Sequence, residues 1–250
     1  MSVYNGEKAV SKAIESIINQ TYKNFEFIII DDGSKDNSLE IIKNYANKDK
    51  KIRVIRNREN LGLAKSLNKA IRLSSADYIA RQDYDDISLP HRLEKQLKFL
   101  QENPLLAFCG CNVKLKEGDL NFIKFFEYED IFKNQIIENC FAHSTIFIRR
   151  EVFDLYGYYN EKLRHGQDFE LWCRLIYKYK LKAGNIKEKL LILDSPVSIF
   201  NKKNKQKLIR QLINQIYTTL RYLKYARNKF GGIKEIIKLF TEIIYIKLII

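Results

Sequence analysis

Short, nearly continuous apolar runs alternate with amphipathic stretches along the first two hundred residues. Residues 1–6 read as the end of a strand running into a turn at Asn5-Gly6. Val10, Ala13, Ile14, Ile17 and Ile18 then recur at helical spacing. Phe25-Glu-Phe-Ile-Ile-Ile30 is an apolar run of the kind a buried parallel strand shows, and it stops at Asp31-Asp32-Gly33-Ser34. A second helix through about Tyr45 follows. Ile52–Ile55 predicts the next strand, 57–62 a loop, and Leu63–Leu73 a helix with Leu63, Leu67, Ala70 and Ile71 on its apolar face. Tyr78–Ala80, Leu105–Val113 and Ala142–Ile148 predict further strands, with a helix over 91–102 between the first two. A polar loop from Gly157 leads into a helix burying Phe169, Leu171, Trp172 and Leu175. Strand, polar turn and helix in repetition predict an α/β fold with a Rossmann-like, doubly wound mixed sheet, in which ligands bind at the carboxyl ends of the strands.

The pattern changes at about residue 200. A basic linker over 201–207 precedes one helical stripe (Ile209, Leu212, Ile213, Ile216, Leu220, Leu223) and, after a break placed at Gly231-Gly232, another (Ile233, Ile236, Ile237, Phe240, Ile244, Leu248). Residues 201–250 hold twelve Lys/Arg and two Asp/Glu, so most of the net charge of +14 belongs to this tail. The chain is therefore divided into a main domain, 1–200, and a basic amphipathic helical tail, 201–250. Such helices suit an anionic membrane surface, the plain alternative being packing on the domain or on a second copy. Nucleic acid is disfavoured, because the basic residues lack an aromatic strand platform. No uncharged run is long enough to predict a spanning helix.

Cys109, Cys111, Cys140 and Cys173 show no paired metal-binding spacing and read as reduced packing cysteines. With no leader-like segment after Met1, the expected location is cytoplasmic, peripheral at the inner face of the cell membrane.

Three carboxylates stand within four residues at Asp83, Asp85 and Asp86. Packed so closely at a strand end, they repel one another unless neutralised, and a hard divalent cation with oxygen ligands is the usual partner. The plain alternative is a solvated acidic turn, with Asp86 or Ser88 capping the helix near Pro90. Asp31 and Asp32 end another strand, where Asp32, Ser34 or Asp36 could instead cap the next helix. In a parallel sheet the two acidic ends fall along one edge and can converge on one site. Asp168 begins a helix, suited either to capping it or to taking a proton from an attacking hydroxyl. His143 is a candidate metal ligand or acceptor contact, although a lone strand histidine is more often structural.

In their order, Ser2-Val-Tyr-Asn-Gly6, Asn19-Gln-Thr-Tyr22, Phe25 to Ser34 with its Asp-Asp-Gly-Ser, Asn60-Leu-Gly62, Asp83-Tyr-Asp-Asp86 and Gln167-Asp168 before Trp172 resemble the family 2 glycosyltransferases over roughly residues 1–200. The resemblance implies the A-type glycosyltransferase fold and an inverting, metal-dependent transferase of hexosyltransferase type. Asp31 and Asp32 would hold the base and ribose of a nucleotide sugar, with Tyr4 and Asn60 nearby. Asp83 and Asp85 would hold the ribose and a divalent ion, Mn2+ or Mg2+, on the diphosphate. Asp168 would be the general base, with His143 and Gln167 toward the acceptor. The implied donor is a nucleoside diphosphate sugar, UDP-type favoured. The implied acceptor is a saccharide or lipid-linked hydroxyl in surface polysaccharide, lipopolysaccharide or glycan synthesis. Two departures stand out. Only Met1-Ser-Val3 remains of the first strand, and Gln167-Asp168 replaces a more usual Glu-Asp. The alternatives are a catalytically inactive nucleotide-sugar-binding or scaffold subunit, and a nucleotidyltransferase, whose Gly-rich phosphate loop is missing near the N-terminus.

Overall fold

A computed structural model of the chain describes residues 1–115, 126–193, 205–225 and 229–249. The basic stretch 201–204 and much of the irregular region after Lys114 lie outside them. At the centre of the N-terminal half is β2 (Phe27–Asp31), buried along its whole length between β1 (Ser2–Val3) and β3 (Ile52–Arg56), both parallel to it. Helices α1 (Val10–Ile18) and α2 (Ser38–Ala46) share one apolar cluster with Val3, Phe27 and Ile29. Helix α3 (Leu63–Leu73) turns Ala64, Leu67 and Ile71 into the larger core of the other half. Asp36 accepts the Ser38 amide at 3.0 Å and so meets the first turn of α2.

The second sheet is mixed, in the order β4 (Tyr78–Ala80), β7 (Phe147–Arg149), β6 (Leu106–Leu115), β8 (Lys182–Leu193), β5 (Ile87–Ser88). Long β6 and β8 run parallel and the other pairs antiparallel. Among the described residues an isolated parallel bridge, Ser2 to Asp83, connects the two sheets. Helix α4 (Arg92–Glu102) lies against β6. The expected strand over Ala142–Ile148 is only partly a strand. His143–Thr145 forms a tight 3-10 turn, in which both the amide and the hydroxyl of Thr145 donate to the Ala142 carbonyl, so the ladder begins at Phe147. Trp172 is fully buried and packs on Phe108, with ring centroids 5.0 Å apart. The four cysteines are buried and none forms a disulfide among the described residues, and burial pushes the Cys111 thiol up to about 11.

Beyond α5 (Tyr128–Asn134), α6 (Arg150–Tyr156) and α7 (Gln167–Cys173), the tail forms α8 (Lys205–Tyr222) and α9 (Lys229–Ile249). The break falls earlier than Gly231-Gly232: α8 ends in a 3-10 turn at Leu223–Tyr225, and both glycines lie in the first turn of α9. Gly232 serves instead for close approach, since a Cβ there would stand 2.5 Å from Leu223 and 3.7 Å from Thr219 of the preceding segment. Gly232 lies beside Leu223 and Thr219 while Leu212 and Ile216 pack with Leu239 and Ile243 further along, so the two helices run antiparallel. No helix among the described residues is long and apolar enough to cross a membrane.

Helix α8 is also bonded into the main core. Tyr222 is 1% exposed, and its hydroxyl donates to Glu170 of α7 at 2.9 Å. Glu170 is itself buried and otherwise answered by Arg174 at 3.1 Å. Tyr222→Phe should therefore cost about 1–2 kcal/mol, because a buried carboxylate loses a donor that water cannot replace. Urea denaturation checks this, and an unchanged midpoint would show that the Tyr222–Glu170 bond adds nothing to the docking of α8.

Candidate active site

The ends of β1 and β2, the turn after β4 and the start of α7 open on a cleft of about 920 Å³. Tyr4, Asp32, Asn60, Asp83, Asp85, His143 and Asp168 all line it, together with Lys65, Glu138, Asn139, Arg164 and, from α8, Arg210. Asp31 and Gln167 are not among its lining residues.

The Asp31/Asp32 pair divides between two tasks, Asp31 closing β2 and Asp32 standing just beyond it. Asp31 is fully buried, accepts the Ser34 amide at 3.3 Å and pairs with Arg56 at 3.6 Å. Asp32 accepts Asn57 Nδ2 and Ser66 Oγ, both at 2.8 Å, and the backbone amides of Leu61 at 3.0 Å and Gly62 at 2.9 Å. It therefore shapes the wall formed by the segment from Asn60 to Lys65. Gly33 makes that approach possible: its φ is +75°, and a Cβ there would lie 2.7 Å from the Glu59 backbone.

The acidic turn after β4 is held from beneath by residues that sequence reasoning missed. Gln82 donates to the carbonyls of Asp83 (2.9 Å) and Asp86 (2.8 Å) and accepts the Ser88 hydroxyl at 2.6 Å. Arg81, 5% exposed, places its guanidinium on Asp83 Oδ1 and on the Gln82 carbonyl. Burial would raise the Asp83 pKa, but Arg81 and the nearby His143 outweigh it and hold the carboxyl below its usual range. Arg92, fully buried on α4, donates to the carbonyls of Arg81 and Ser144 and so fastens this turn to the one bearing His143. Neither Asp86 nor Ser88 caps α4, whose N-cap is His91 without a side-chain bond. Long polar side chains next to an acidic motif read as surface in a sequence, and only their burial betrays the scaffold.

His143 meets the Tyr159 hydroxyl at 2.9 Å and Trp172 edge-on with ring centroids 6.3 Å apart. Burial, then Arg81, lowers its pKa. Asp168 lies in the first turn of α7, after Gly166 at φ +72°, and makes no cap bond. Its Oδ2 instead accepts Asn139 Nδ2 at 2.9 Å. Asn139 is a second residue that sequence reasoning missed, since it lies in the irregular connection after α5.

Among the described residues no group of three or more His, Cys, Asp or Glu is arranged to hold a metal unaided. Asp83 and Asp85 do offer the oxygen donors a Mg2+-like ion takes when substrate phosphates and water complete its shell. Arg81 engages Oδ1 of Asp83, and Oδ2 carries no hydrogen bond among the described residues. The donor set fits a shared, substrate-completed site.

The family model of glycosyl transferase family 2 matches residues 1–157. The chain belongs to glycosyl transferase family 2. It is 37% identical over 191 residues to an uncharacterised glycosyltransferase of Methanocaldococcus jannaschii, covering 72% of this chain and 66% of that one. To the O-antigen biosynthesis glycosyltransferase WbnJ of Escherichia coli it is 34% identical over 202 residues, 76% of each chain. The fold matches a mannosyltransferase of Pyrobaculum calidifontis solved with GDP-Man and Mn2+, with a TM-score of 0.71 at 18% identity over 99% of this chain and 68% of that one. It also matches Staphylococcus aureus TarS 1-349 in complex with UDP, with a TM-score of 0.68 at 16% identity over 96% and 69%. This family 2 member has the A-type glycosyltransferase fold. The nucleotidyltransferase alternative has no support beside that assignment.

Proposed function

We propose that this glycosyltransferase moves a hexosyl group from a nucleoside diphosphate sugar to an acceptor hydroxyl with inversion, in assembling a surface polysaccharide. The observation that carries the reading is the meeting of Asp32, Asp83, Asp85 and Asp168 on one cleft of about 920 Å³, within the usual range of roughly 300–1,000 Å³ for small-molecule sites. Tyr4, Asn60 and the wall shaped by Asp32 receive the nucleoside, and Asp31 supports the strand end behind them. Asp83 and Asp85 would hold a divalent cation, Mn2+ or Mg2+, as a nucleoside diphosphate sugar binds. Such an ion neutralises charge on the departing phosphate when bound. Asp168, its carboxylate oriented by Asn139, accepts the acceptor's proton as the hydroxyl attacks the anomeric carbon. His143 lies on the acceptor side, where its ring can exchange a hydrogen bond with the incoming hydroxyl. A single displacement of this kind inverts the centre.

The catalytic unit is assigned to residues 1–200, with 201–250 contributing Arg210 to the cleft. The Mn2+ in the mannosyltransferase structure supports a metal, the UDP in the TarS structure supports a UDP-type donor, and the O-antigen name of WbnJ supports the pathway class.

Calorimetry with nucleoside diphosphates and their sugars, with and without Mn2+, tests the donor site. Metal should tighten binding to the wild-type protein, and Asp85→Ala should weaken it roughly a hundredfold, as expected when one partner of a charge contact is truncated. Equal affinity with and without metal in both proteins would remove Asp83 and Asp85 from that role. Donor binding without transfer to any acceptor would favour the scaffold alternative.

A further inference from the structure

The α8–α9 hairpin has a second apolar face that its own packing does not use. On α8, Ile213, Tyr217 and Leu220 are 49–59% exposed at i, i+4 and i+7. On α9, Ile233, Ile237, Phe240 and Ile244 are 46–61% exposed and continue the same spacing. These seven are most of the ten large exposed hydrophobics among the described residues, so the apolar surface is gathered here and not scattered.

The two stripes share one side of the hairpin. Each follows its helix's buried stripe by one residue: Ile213 and Tyr217 follow Leu212 and Ile216, and Phe240 and Ile244 follow Leu239 and Ile243. One residue is a rotation of about 100°. In an antiparallel pair, equal rotations away from a common seam bring both stripes to the same side. The tail that forms this hairpin, residues 201–250, carries a net +10 in its sequence.

We infer that this face is a docking surface for an anionic lipid bilayer, with the hairpin lying in the plane of the membrane. Charge decides the occupant. A second copy in a two-fold pair would set two strongly basic tails against each other, whereas anionic headgroups neutralise them while the isoleucines and Phe240 enter the interface. The inference rests on the hairpin alone and not on the sugar-transfer reading.

Flotation of the full chain with phosphatidylcholine vesicles, with and without phosphatidylglycerol, tests it. Wild-type protein should bind the anionic vesicles roughly tenfold or more tightly than the neutral ones and lose that preference at high salt. The double variant Ile237→Asp, Phe240→Asp changes only exposed side chains. Its melting should be native, and its binding should fall roughly a hundredfold, because two apolar groups no longer enter the interface. Undiminished binding by the double variant would overturn the inference. So would a natively melting wild type that ignores phosphatidylglycerol. A wild-type dimer in light scattering that the same substitutions dissociate, without lipid binding, would give the face to a second copy.

Discussion

Asp168→Asn is expected to lower kcat roughly a thousandfold while leaving donor affinity within about twofold of wild type. The substitution preserves shape, and its side-chain oxygen can still accept Asn139 Nδ2, now at 2.9 Å from the carboxylate. What it removes is the ability to take a proton. The carboxylate belongs to a different element from the Asn60 to Lys65 wall and from Asp83 and Asp85. Donor contacts should therefore survive. Single-turnover transfer measured alongside calorimetric donor binding separates the two effects. A kcat within tenfold of wild type would move the base elsewhere in the cleft, and parallel loss of donor binding would make Asp168 a binding residue.

The second large effect is on stability. Asp32→Ala should destabilise the protein by about 3–4 kcal/mol, because an amide, a hydroxyl and two backbone N–H groups lose a buried charged acceptor together. At this size that corresponds to a fall in Tm of about 10 °C. The loss should also reach function, since the segment Asp32 braces, Asn60 to Lys65, lines the cleft. Asp31→Ala, which loses one amide bond and the contact to Arg56, should cost less and leave donor binding nearly intact. Equal effects of the two substitutions in thermal melting and donor titration would refute the division of labour between these neighbours.

That division shows what a sequence makes legible here and what it hides. The alternation of apolar run and amphipathic stretch locates β2, β3, β6 and α1 through α4 because each is a local, periodic signal. The acidic ends of β2 and β4 are visible for the same reason; the expected single parallel sheet is not what joins them, since β4 belongs to the second, mixed sheet and its acidic turn meets β1 through the Ser2–Asp83 bridge. Which of Asp31 and Asp32 faces the cleft depends on strand direction relative to neighbours, so the pair reads as equivalent until the sheet is assembled. β8 leaves almost no trace: Lys187, Glu188 and Lys189 are exposed in its middle and interrupt the apolar pattern, although the strand pairs with β6 along its length. Arg81, Gln82 and Arg92 look like surface residues and are among the most buried polar groups. Gly231-Gly232 reads as a break because glycine weakens helices, yet tight packing against Leu223 supplies a reason for Gly232 within one.

The bond from Tyr222 to Glu170 ties the hairpin to the helix that carries Asp168. Glu170 and Asp168 are two residues apart on α7, and Thr219 of α8 also reaches the Ile136 carbonyl at 3.5 Å. A chain shortened at residue 200 to make a more tractable enzyme would bare a buried carboxylate and the underside of the helix that carries Asp168. Its inactivity would then say nothing about lipid, and the roles of the hairpin must be separated one side chain at a time.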